Sequence, residues 1–133
     1  MAAVVYEDRW GEVLDRPSLD LVELRWFDTT SAMSADEFKQ SLQAFARCVE
    51  DCGRIRVLVD STSFRMNPSN MDGPWRDAQI IPRYNAAGVS RFAFHMPEGM
   101  PLIGTPPAVE GPGRFPTGYF GYRQDAIGWL TGP

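Results

Sequence analysis

Ile55-Arg56-Val57-Leu58-Val59-Asp60 is a short, nearly continuous apolar run that closes on a carboxylate. A half-exposed strand would alternate; a run like this one belongs to a strand covered on both faces, as in the middle of a parallel sheet. The residues before it explain how the chain arrives there. Ser34 is an N-cap candidate, and Glu37 three positions on completes a capping box. Phe38, Leu42, Phe45, Val49 and Cys52 then recur at helical spacing and make one apolar face. Gly53 supplies the stop.

Working outward, the pattern repeats downstream. Ser61 to Met71 is polar, contains Pro68 and reads as a loop. Trp75 to Ala87 reads as a helix weakened by Pro82, with Gly88 as its stop. Ser90 to Met96 is a further strand closed by Pro97. Residues 97–118 hold six of the eleven prolines and five of the twelve glycines, so a regular helix or central strand is not sustainable there. Tyr119 to Tyr122 reads as a last strand, and Arg123 to Leu130 as a terminal helix. Upstream, Val4–Arg9 and Glu12–Asp15 flank Gly11 as a bent strand or hairpin. Leu19 to Trp26 is a half-buried strand with Leu19, Leu21 and Trp26 set against Asp20, Glu23 and Arg25. The expected fold is one α/β domain over residues 1–133: a mostly parallel four- to five-stranded sheet with flanking helices and an N-terminal antiparallel strand or hairpin.

Bulk properties narrow the function classes. The chain has 133 residues, 44% of them hydrophobic, which suits one globular domain. The net charge is −4 with no basic run, which disfavours a nucleic-acid partner, since that needs a clustered cationic face. Twelve of the thirteen basic residues are Arg, scattered along the chain. Apolar runs fall far short of the ~20 residues of a membrane span, and the N-terminal residues lack the pattern of a secretory signal. Cys48 and Cys52, four apart on a helix, suit neither a disulfide nor a C-x-x-C site. Free thiols in a reducing, cytoplasmic setting are expected.

The capped helix, the stretch RVLVDSTSF (56–64), NAAGVSRFAFHMP (85–97) and the tail YFGYRQDAIGWL (119–130) together resemble the SpoIIAA-like proteins, part of the wider STAS and SEC14-type group. The resemblance runs from Leu19 to Leu130, and its motifs are structural rather than catalytic. It implies a STAS-like domain related to sulphate-transporter and anti-sigma-factor-antagonist domains. Two features depart from the family. Asp60-Ser61-Thr62-Ser63-Phe64 lacks the glycine of the phosphorylatable Asp-Ser-Ser-Gly-like stretch, which argues against a phospho-switch at Ser61 or Ser63. The 97–118 stretch stands where the family has a helix between its last two strands.

Ligands of open α/β sheets sit beyond the carboxyl ends of the strands. Three such ends are Asp60-Ser61-Thr62, His95-Met96-Pro97 and Gly121-Tyr122, so Asp60, Ser61, Thr62, Arg65, Trp75, His95 and Tyr122 are the candidate ligand-binding residues. Asp60 has the chemistry of a general base, yet a carboxylate ending a strand more commonly caps the next segment. A Ser61–His95–Asp60 triad is disfavoured because neighbours on one strand point to opposite faces. A single histidine argues against zinc, and no cofactor is called for. Gly111-Pro112-Gly113-Arg114 lacks the spacing of a phosphate loop. Met66, Met71, Met96 and Met100 cluster in these loops and could line an adaptable apolar pocket. Trp10, Trp26, Trp75 and Trp129 are expected as core or interface anchors more than as a ligand cage. The expected function is a non-enzymatic binding or regulatory module for a protein partner or small apolar ligand. The alternatives are a small hydrolase or isomerase using Asp60 and His95, with Arg65 or Tyr122, and a self-assembling homo-oligomeric subunit.

Overall fold

In the computed structural model, which describes residues 2–133, the 55–60 run lies at the centre of the sheet. Among the described residues there are seven strands: β1 (Ala3–Glu7), β2 (Gly11–Arg16), β3 (Leu21–Trp26), β4 (Arg56–Asp60), β5 (Arg91–His95), β6 (Ala108–Val109) and β7 (Pro116–Phe120). The helices are α1 (Ala35–Cys52), α2 (Gly73–Gln79), α3 (Ile81–Ala87) and α4 (Arg123–Thr131). The sheet order is β1-β2-β3-β4-β5-β7-β6. β3, β4, β5 and β7 are parallel neighbours, while β1, β2 and β6 join antiparallel at the flanks.

The sheet is therefore wider and more mixed than the four to five mostly parallel strands expected from the sequence. Of the two forms expected for the N-terminal segment, a bent strand or a hairpin, it is the hairpin of β1 and β2. Asp8 makes the hairpin: its Oδ1 accepts from the Trp10 and Gly11 amides at 2.7 and 3.0 Å, and its Oδ2 accepts from the Ser41 hydroxyl on α1 at 2.8 Å. Gly11 is required where β2 crosses β3, because a Cβ there would stand 2.6 Å from the Arg25 carbonyl oxygen.

The 75–87 helix is two helices. Ile80 (φ −110°) is the break between them, two residues before Pro82. The Pro/Gly-rich stretch has a topological role. Parallel strands need a crossover of about a dozen or more residues, usually built on a helix. Between β5 and β7 that crossover is loop with only β6 in it, which adds a short antiparallel edge beside β7.

Helix α1 forms as its sequence signals. The Glu37 amide donates to Ser34 Oγ at 3.2 Å, the Ser34 amide donates to Glu37 Oε1 at 2.9 Å, and Gly53 ends the helix at φ +68°. Its face Phe38, Leu42, Phe45, Ala46 and Val49 packs with Ile80, Ile81 and Tyr84 into one core with Val22, Leu24, Val57, Val59 and Phe92. The opposite sheet face carries a smaller core in which Leu21, Leu58 and Ala93 meet Ala126 and Leu130 of α4. Arg56 and Arg91 tie that helix down by its C-terminal carbonyls: Arg56 Nε donates to the Leu130 oxygen at 2.7 Å, and Arg91 Nη1 donates to the Trp129 and Gly132 oxygens. Cations there also answer the negative end of the helix.

Candidate functional site

The strand pleat divides the carboxyl ends of the sheet into two unlike surfaces. On the α4 side, Arg25, Asp60, His95 and Phe120 stand in register across β3, β4, β5 and β7. Asp60 Oδ1 accepts from the Thr62 amide at 3.1 Å and the Thr62 hydroxyl at 2.7 Å, so it caps the turn after its strand. Arg25 Nε lies 3.8 Å from Asp60 Oδ2, and His95 Nδ1 lies 3.8 Å from Asp60 Oδ1. His95 Nδ1 is a buried nitrogen with no hydrogen-bond partner among the described residues.

One strand-step behind this row is Glu23, whose side chain is wholly buried. The sequence expectation placed it on the exposed side of an alternating strand; β3 is instead covered on both faces. Arg123 grips it through Nη1 and Nη2, and Arg16 Nε donates to it at 2.8 Å. Burial pushes this carboxyl up, but the hydrogen bonds and charges of Arg123 and Arg16 outweigh it and hold the group below the usual carboxylate range. The three arginines around Glu23 and Asp60 are thus engaged by carboxylates, which makes the row a structural network.

On the α1 side the surface is apolar and hollow. A cavity of about 390 Å³ lies beneath α1 and α2 at the carboxyl ends of β3, β4 and β5. Trp26, Phe38 and Phe64 form one wall, with ring centroids 5.1–6.1 Å apart. Phe92 and Phe94 form the floor, and Phe94 stacks on Tyr119 at 5.2 Å. Met71, Met96 and Met100 line the rim, Met71 and Met100 being 46% and 43% exposed. Met66 lies instead in the core, as does Trp10. Of the four tryptophans only Trp26 reaches the cavity, so they form no cage.

Besides Tyr119, whose hydroxyl donates to Glu110, residues Ser61, Tyr84 and Arg76 bring polar side chains to this lining. Ser61 is buried; its amide and carbonyl are bonded to His95 and Phe64, and its hydroxyl has no bond among the described residues. Tyr84 is buried on α3, and its hydroxyl likewise has no partner. Burial raises the pKa of that hydroxyl against the opposing pull of Arg76 and Arg83, so it stays a protonated donor. Arg76 of α2 is the third. Cavities of this size, mostly apolar with a few polar groups, are the usual form of small-molecule sites.

The sequence candidates are therefore dispersed. Ser61 lines the cavity, while Asp60 and His95 lie together on the other face, so no Ser61–His95–Asp60 triad exists. Arg65 Nη1 donates to the Thr62 and Phe64 carbonyls at 3.0 and 3.1 Å and latches the loop. Trp75 sits in the first turn of α2 with Lys39 Nζ 5.5 Å from its ring. Tyr122, 60% exposed, borders an open groove under residues 98–107. Nothing in the sequence marks Arg76 or Phe64 as lining residues, whereas Trp26 and Phe38 are legible as apolar anchors and the methionines as pocket residues. Among the described residues no group of three His, Cys, Asp or Glu is arranged to hold a metal, and no helix is long and apolar enough to cross a membrane.

Compared with protein-family models, curated proteins and solved structures, the chain shows no match in any of the three.

Proposed function

We propose that this chain is a STAS-like binding module that takes a small apolar ligand into the cavity between the sheet and helices α1 and α2. The cavity itself carries the proposal: about 390 Å³ walled by Trp26, Phe38, Phe64 and Phe94, with donors that have no protein partner. A cavity with such donors loses their hydrogen bonds when empty of ligand and water, whereas a ligand bearing an acceptor restores them. The β3-α1-β4-α2-α3-β5 order and the closing α4 support the STAS-like reading, together with the sequence resemblance. Cytoplasmic placement belongs to the same proposal, being supported by the free thiols Cys48 and Cys52.

The test is titration of the full chain with decan-1-ol, followed by calorimetry and by tryptophan fluorescence, since Trp26 forms part of the wall. Saturable one-to-one binding is expected, weakened at least tenfold by Ser61→Leu, which places apolar bulk in the cavity. Absence of saturable binding, or binding indifferent to that substitution, removes the proposal.

Self-assembly is the second reading, and one observation favours it. β1 is an open edge strand with Val4 and Val5 at 54% and 47% exposure, a surface that invites pairing with another strand. The register shift between Val4 and Tyr6 works against it, since such bulges twist edges away from partners. Light scattering that shows a monomer at every concentration would dismiss it.

A further inference from the structure

Arg76 is the arginine whose chemistry the protein leaves open at the cavity. Arg16, Arg25, Arg54, Arg83 and Arg123 are paired with carboxylates, and Arg56, Arg65 and Arg91 donate to backbone carbonyls. The Arg76 guanidinium forms no salt bridge and no side-chain hydrogen bond among the described residues. It lies over the rings of Phe92 and Phe94, with Cζ 5.8 and 6.0 Å from their centroids, on the wall of the apolar cavity. Aromatic faces stabilise a guanidinium through its plane and leave its edge N–H groups free for a planar acceptor. Tyr84 packs against the same Phe92 ring at 5.5 Å and adds a second donor without a partner.

The surroundings limit the charge and size of that acceptor. Arg76 also lines a smaller cavity of about 210 Å³, together with Asp77 and Glu110, neither of which forms a salt bridge with it. With one cation and two carboxylates sharing this neighbourhood, a singly charged group is accommodated and a dianion is disfavoured. The main cavity's volume of about 390 Å³ equals that of roughly a dozen waters at about 30 Å³ each, which fits a body of about ten to twelve non-hydrogen atoms.

We infer that the ligand is an amphipathic monocarboxylate, its carboxylate received by Arg76 and the Tyr84 hydroxyl and its apolar body lying against Trp26, Phe38 and Phe64. This rests on the reading of the cavity as a ligand site. It adds the ligand's charge, its pole and the residue that selects it.

Calorimetric titration of the full chain at about pH 7.5, where a carboxylic acid is ionised, with decanoic acid and with decan-1-ol tests it. The acid is expected to bind about tenfold or more tighter than the alcohol, the scale of a charge-assisted contact. Arg76→Met should abolish the preference for the acid over the alcohol, and continued saturable binding of the alcohol reports an intact cavity. Arg76→Lys should recover part of the preference. Should Arg76→Met fail to fold, Arg76→Gln takes its place. Equal binding of acid and alcohol to the unaltered protein, or a preference that survives loss of the guanidinium, overturns the carboxylate assignment while the cavity reading stands. Failure of both compounds to bind the unaltered protein overturns the two together.

Discussion

Arg123, the first residue of α4, reaches across a separation of 100 residues to Glu23 in β3, its Nη1 and Nη2 donating to Oε2 and Oε1 at 2.6 and 2.7 Å. The two-pronged pair fixes where α4 begins on the sheet. It also decides how the protein meets acid. The carboxyl is held below its unfolded range, so its contribution is present above that range and is lost as pH falls through the lowered value. Glu23→Gln should therefore flatten the acid side of the stability profile, measured as urea midpoint against pH below about 5. Arg123→Met should cost about 2–3 kcal/mol at neutral pH. That is less than the ~3–5 of a fully buried pair, because Arg123 is partly exposed and Arg16 remains. An unchanged urea midpoint in Arg123→Met would show that the pair does not anchor α4.

The capping box is the local device on which α1 depends. Ser34→Ala removes the acceptor for the Glu37 amide and should cost about 1 kcal/mol by urea denaturation. Ser34→Asp keeps an acceptor next to the helix's positive end and should restore most of that loss.

What could be read in advance was local. Ser34, Glu37 and Gly53 delimit α1 through contacts within a few residues, and the 55–60 run carries its burial in its own composition. Asp60 against Ser61 was legible too, since alternation sends neighbours to opposite faces. Glu23 was misplaced because Arg123, the partner that makes its burial tolerable, is supplied by the far end of the chain. Of the cavity only Ser61 and the methionine rim were legible as lining, for a related reason. Its walls come from β3, α1, α2, α3 and the loops after β4 and β5, and a hollow among apolar residues has the same sequence signature as a filled core. β6 is two residues long and exists only because β7 offers an edge, so no periodicity announces it.

The two thiols answer to their surroundings rather than to each other. Burial, with a smaller push from Cys52 and Asp51, raises Cys48 to about 11. The thiolate is the reactive form, so Cys48 should react far more slowly with a disulfide reagent at about pH 8 than a free thiol does. Its rate should climb about tenfold per pH unit toward that value. Comparing reagent kinetics in Cys48→Ser and Cys52→Ser assigns each phase, and a fast phase that disappears in Cys48→Ser would contradict the expectation.

Asp60 and Ser61 are chain neighbours on opposite faces, and substituting them separately distinguishes a polar site from an apolar one. Ser61→Leu replaces an unpartnered hydroxyl with apolar bulk in an apolar cavity, so it should raise stability by about 0.5–2 kcal/mol while it weakens ligand binding. Asp60→Asn together with His95→Gln alters the row behind the sheet and touches no wall of the cavity. That double variant should bind decan-1-ol as the unaltered protein does, within about twofold, while its stability falls through the weakened Thr62 cap. Loss of binding in the double variant, with Ser61→Leu unaffected, would move the site to the Asp60–His95 face and revive the hydrolase or isomerase alternative. The opposite pattern leaves Asp60 as the residue that turns the chain out of β4 and Ser61 as the one that meets the ligand.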